Sequence, residues 1–113
     1  MKAIIIEDCD DKIRMIEILI QQYVMSIMVV KTINEAIPLL TSNQFQIIFL
    51  DHNLPDGKGT EYLFKIRKLQ KEAKCVSISN DISVINHYKQ LGYDDIFEIP
   101  FKQCLNRIFL DLI

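Results

Sequence analysis

A chain of 113 residues, half of them hydrophobic and a quarter charged, has the size and composition of one globular domain able to bury a core unaided by disulfide or structural metal. Its net charge of −2 offers no basic field for a nucleic-acid backbone, which argues against direct nucleic-acid binding. Three cysteines (Cys9, Cys75 and Cys104), none at C-x-x-C spacing, supply neither a disulfide framework nor a zinc cluster, and no apolar run approaches the ~20 residues of a membrane span.

The apolar run at residues 3–6 is too short for a signal-peptide core and ends in Glu7 and Asp8, so a cytoplasmic protein with reduced thiols is expected. Similar β-branched-rich runs recur at residues 27–30, 47–50, 75–78 and 96–99. All five are too continuous for strands with one wet face and predict strands buried on both sides. Between the first two, Ile13, Ile16, Ile20 and Val24 follow helical spacing, with Asp10 or Asp11 as the cap. Thr32 and Glu35 have capping-box spacing at the head of a second helix, and Pro38 is expected within its first turn. Tyr62, Ile66 and Leu69 mark a third helix, on which Lys65, Lys68 and Lys71 form a solvated face. Asn80 or Asp81 caps a fourth, carried by Ile82, Ile85, Tyr88 and Leu91 beside Lys89 and closed by Gly92. Leu105, Ile108, Phe109 and Leu112 predict a fifth helix over residues 102–113, mostly core, with any surplus of that stripe a candidate homodimer face.

Strand and helix thus alternate throughout, the mark of βαβ units around a parallel sheet. Right-handed crossovers leave few topologies. The predicted fold class is α/β: a single doubly wound (βα)5 domain over residues 1–113, its five-stranded parallel sheet in the flavodoxin-like order 2-1-3-4-5, with no output domain.

In such sheets ligands bind beyond the carboxyl ends of the strands. The residues there are Glu7 and Asp8 after the first strand, Asp51 after the third, Ser79 and Asn80 after the fourth, and Pro100 after Ile99 of the fifth. Strands one and three are neighbours, so Glu7, Asp8 and Asp51 converge. A lone acid after a strand is commonly a helix cap, as Asp8 or Asp10 could be. Three on adjacent strands are harder to explain, because like charges repel and each desolvated carboxylate costs several kcal/mol unless compensated. A hard divalent cation is the usual compensation, and oxygen ligands open to water suit Mg2+. The Pro55-Asp56-Gly57 triplet is a turn in which Pro fixes φ and Gly supplies positive φ, holding Asp51 at the floor of a loop-walled pocket.

Glu7-Asp8, Asp51 with Leu54-Pro55-Asp56-Gly57, Ser79-Asn80 and Pro100-Phe101, in this order and spacing, resemble the two-component response-regulator receiver family over essentially the whole chain. The resemblance implies a bacterial signalling domain rather than an enzyme, catalysing at most its own phosphorylation and dephosphorylation. Asp51 would accept a phosphoryl group from a histidine kinase or phosphotransfer protein. Glu7, Asp8, Asp51 and the backbone carbonyl of Asn53 would hold Mg2+. Ser79 would bond a phosphoryl oxygen and couple it to a surface read by a downstream target protein. Asn80 stands where a small residue is usual, its backbone N–H facing the phosphoryl group. Ile96 or Phe97 falls at the family's aromatic switch position, and the Ile99–Pro100 bond matches a family cis peptide. Such chemistry asks the protein mainly for positioning and electrostatics.

One position departs from the pattern. The family places a lysine immediately before the proline, where this chain has Ile99 between Glu98 and Pro100. The missing ammonium would have made a charge-assisted hydrogen bond worth roughly 1.5–3 kcal/mol. Lys102 and Lys58 are candidate substitutes. Two readings follow: a phosphorylated switch rewired around the loss, which Glu7, Asp8, Asp51 and Ser79 favour, or a pseudo-receiver binding a partner without phosphorylation, which Ile99 and Asn80 favour.

Other chemistries fit less well. A dehalogenase-type phosphatase wants a second Asp two residues after the first, where Asn53 stands, and a nucleotide-binding turn wants glycines where Glu7-Asp8-Cys9-Asp10-Asp11 stand. His52 and His87 read as surface or packing residues, and Cys9 as a small hydrophobe.

Overall fold

The computed structural model describes residues 1–98. Expectations for Ile99, Pro100, Lys102, Cys104 and the helix over 102–113 lie outside the described residues. Five parallel strands, β1 (Lys2–Ile6), β2 (Ser26–Val30), β3 (Ile47–Asp51), β4 (Lys74–Ser79) and β5 (Asp95–Glu98), alternate with four helices, α1 (Asp10–Ile20), α2 (Ile33–Ser42), α3 (Gly59–Leu69) and α4 (Ile82–Leu91). The strand order is β2-β1-β3-β4-β5, as predicted. Ile6 of β1 is in register with Val30 on one side and Leu50 on the other. The carboxyl ends of the three strands are therefore level, and Glu7 and Asp51 begin at the same height.

Strand alternation divides the core into two layers. Ala3, Ile5, Ile47, Phe49, Val76, Ile78 and Phe97 pack with Ile13, Ile16 and Ile20 of α1. Ile4, Ile6, Ile48, Leu50 and Cys75 pack with α2, α3 and Tyr93 on the opposite face. Burial on both faces explains why β1 and β3 read as unbroken apolar runs and why β4 is broken only by the buried Ser77. The edge strand β2 departs from that expectation, with Val29 37% exposed.

The helix ends require corrections. Neither Asp10 nor Asp11 caps α1: Cys9 is the N-cap residue, and both acids lie in the first turn. The stripe ending in Val24 outruns α1, which stops at Ile20; Val24 is buried after a turn whose backbone bonds back to Ile20. Pro38 sits sixth in α2, beyond the first turn. Its ring costs the Asn34 carbonyl its helical donor, but both residues are exposed and water can serve instead. Lys71, expected on the third helix with Lys65 and Lys68, lies two residues past its last residue, Leu69. The Thr32 hydroxyl accepts the Glu35 N–H at 3.0 Å, Asp81 rather than Asn80 accepts the Ser83 N–H at 2.9 Å, and Gly92 closes α4 at φ 108°.

Candidate functional site

The three acids differ in exposure. Glu7 is fully buried, Asp51 is 5% exposed, and Asp8 faces solvent. One carboxylate oxygen from each lies within 4.8 Å of the others. Glu7 turns inward because Oε1 accepts the Cys9 N–H at 3.0 Å, tying the end of β1 to the start of α1. Its Oε2 is sealed from solvent without a hydrogen-bond partner. A buried oxygen left unsatisfied is costly and marks a place where a further group belongs. Hard oxygen donors around that vacant lone pair fit a divalent cation such as Mg2+.

Electrostatics reflect the same crowding. Burial, with the Asp51 charge adding to it, pushes the Glu7 carboxyl up to about 7, against the Cys9 N–H and the Lys12 ammonium. Burial also raises Asp51, while Lys12 and the Asn53 backbone N–H draw it back. One cation, Lys12 in the first turn of α1, therefore acts on both carboxyls. It is half-buried there.

The segment after Asp51 forms a short antiparallel ladder, Asn53–Leu54 against Gly57–Lys58, before α3 begins. Gly59 opens α3 directly against the Asp51 carbonyl oxygen, where an added Cβ would collide with that oxygen. Its N–H donates to His52 O at 2.8 Å. Asp56, read from sequence as a turn residue only, reaches across to α2, where Oδ1 accepts the Ile33 N–H at 3.0 Å and Oδ2 the Asn34 N–H at 2.9 Å. The Lys58 ammonium donates to the Asn53 side-chain oxygen, so this candidate substitute is engaged within its own loop.

On the other side of Asp51, Ser79 is buried at the end of β4 and its Oγ accepts the Asp81 N–H at 2.9 Å. That bond fixes the oxygen and leaves the hydroxyl proton available to a ligand. Asn80 is exposed beside it. Of the two switch candidates, Ile96 is 2% exposed and Phe97 fully buried, its ring set edge-on to Phe49 at 5.8 Å. Tyr93, which the sequence reading passed over, buries its hydroxyl near Ser77. Periodicity could not distinguish Tyr93 from an ordinary core aromatic. Lys12 carried a faint signal: a cation in the first turn of a helix opposes the macrodipole and calls for nearby acids.

The response regulator receiver domain model matches residues 3–106. A two-component response regulator from Clostridium difficile superposes with a TM-score of 0.80 at 25% identity, covering 99% of this chain and 92% of its own. A CheY-like receiver domain from Methylobacillus flagellatus gives 0.87 at 21% identity, covering 100% and 98%. A response regulator from Burkholderia pseudomallei, crystallised with a phosphorylated aspartic acid, calcium ion and citrate, gives 0.75 at 14% identity, covering 97% and 71%. Among curated protein sequences none matches significantly.

Proposed function

Because the chain belongs to the response-regulator receiver domain family, we propose that Asp51 accepts a phosphoryl group from the phosphohistidine of a histidine kinase or phosphotransfer protein. The observation that carries this reading is the convergence of Glu7, Asp8 and Asp51 at the level ends of β1 and β3. A carboxylate oxygen of Asp51 attacks phosphorus; a P–O bond forms as the P–N bond breaks. The imidazole leaves with the electron pair and takes a proton from solvent. Glu7, Asp8, Asp51 and the Asn53 carbonyl would hold Mg2+, which when bound neutralises charge on the transferred group. The Ser79 hydroxyl donates a hydrogen bond to a phosphoryl oxygen, and the Asn80 backbone N–H faces a second. The phosphorylated aspartate and calcium ion of the Burkholderia relative support this assignment in the same fold.

The unit proposed is one cytoplasmic receiver domain over residues 1–113, which engages a downstream target protein when phosphorylated. Among the described residues no helix is long and apolar enough to cross a membrane. The test is amide NMR with Mg2+ alone and then with beryllofluoride, a phosphoryl mimic, using Asp51→Asn as control. Shifts should spread from Asp51 through Ser79 into α4 and β5, and vanish in the control. Ile99 favours a second reading, a phosphorylation-independent interaction module. It predicts Mg2+ binding with no beryllofluoride response beyond Asp51 itself.

A further inference from the structure

Among the described residues, four basic side chains lie near the acidic pocket in sequence or space. Lys31 is committed to Asp10 at 2.7 Å. Lys58 is committed to the Asn53 side chain. Arg14 is exposed and acts on Asp10. Lys102 lies outside the described residues. Lys12 remains, half-buried in the first turn of α1 and without an ion pair or hydrogen bond among the described residues. Its helix is moored to the pocket, since Cys9, the N-cap residue, donates its N–H to Glu7. Both Glu7 and Asp51 feel its charge, although it is not within ion-pair distance of either.

A lysine at this position works against the helix dipole. Among the described residues it has no counter-ion of its own, yet its turn follows directly on the Cys9 N–H that is bonded to the buried Glu7 carboxyl. A long flexible stem and a compact ammonium with three donors suit it to an anion that is present only part of the time. We infer that Lys12 supplies from α1 the ammonium that the family takes from the position of Ile99, pairing with an oxygen of the phosphoryl group on Asp51. The inference rests on Asp51 being the acceptor. It adds a direction of approach: the charge enters from the β1–α1 side, not from the end of β5. Phosphorylation then draws α1 toward the pocket by its first turn.

The test compares wild type, Lys12→Met and Lys12→Arg, titrating Mg2+ alone and then beryllofluoride at saturating Mg2+, followed by amide NMR. Lys12→Met should weaken the beryllofluoride adduct about tenfold or more, the scale of a lost charge-assisted hydrogen bond. Mg2+ affinity should hold or rise, because a competing cation has gone. Lys12→Arg should restore most of the adduct. An adduct unchanged within twofold in Lys12→Met overturns the assignment. So does equal loss in Lys12→Arg, which would point to packing, and so does a parallel loss of Mg2+ affinity, which would place Lys12 in the metal site's support. If wild type with Mg2+ takes up no beryllofluoride, the acceptor role of Asp51 falls first and the role of Lys12 with it.

Discussion

On one side of Asp51, α2 and α3 are stitched to each other and to the loop between them; on the other, among the described residues, α4 fully buries Val84 alone, with Tyr88 partly buried against the core. The stitching is polar and specific. Gln70, 3% exposed at the end of α3, accepts the Phe45 N–H at 3.0 Å and donates to the carbonyls of Leu40, at 2.8 Å, and Asn43. Asp56 clamps the other end of α2. By contrast α4 leaves Ile82 70% and Leu91 41% exposed, and its backbone departs from helical geometry at His87. Elements with few buried contacts open at low free energy, while densely bonded ones open only near global unfolding. The acidic pocket thus lies between a densely bonded wall and a more sparsely bonded one.

The largest effect that would break this contrast is at Gln70. Gln70→Leu strands the Phe45 N–H and two carbonyls in the core and should cost at least about 3 kcal/mol, read as a lower denaturant midpoint at unchanged slope. A small loss would mean the stitching is dispensable. Next comes the pocket itself. Glu7 rises from 4.5 to about 7 on folding, so the native state holds more protons across that window. Its stabilising contribution is complete below the unfolded value and is lost as pH climbs to the folded one. The stability of wild type relative to Glu7→Gln should therefore fall as pH climbs through the window. Saturating Mg2+, which selects the ionised carboxyl, should flatten the profile. Equilibrium denaturation at stepped pH checks both. Asp56→Ala should speed hydrogen exchange of the Ile33 and Asn34 amides by about tenfold, while amides of α4 already exchange faster than those of α2 and α3 in wild type. Equal protection in both walls would remove the asymmetry. The smallest effect is expected at Ile82→Ser, within about 0.5 kcal/mol of wild type because that side chain touches little.

Most of the sheet was legible because its central strands are buried on both faces and leave an unbroken apolar imprint; the order of strands then followed from chirality and topology. The convergence of Glu7, Asp8 and Asp51 was legible for a related reason: acids at the carboxyl ends of buried apolar strands stand out from the runs they close. Residues whose partners are distant in sequence were not legible. Asp56 looked like part of a turn until its carboxylate was seen on an α2 amide 23 positions away. Nothing local distinguishes Gln70, a buried glutamine bonded to the end of α2 and the segment after it, from a solvated one. Lys12 was hidden differently, since a single lysine in a helix is the commonest of surface features. Pro38 was misplaced because composition marks a proline without revealing which carbonyl it deprives.

The loop that carries Asp51 into α3 is held at three points: His52 O by Gly59, the Asp56 carboxylate by α2, and the Asp56 carbonyl by the Tyr62 hydroxyl at 3.1 Å. Ordering a free backbone costs about 1–2 kcal/mol per residue. Here that entropy is surrendered once, when the chain folds, and not each time a ligand arrives. On this side of the pocket a ligand would meet a wall already in place, with no loop to close around it.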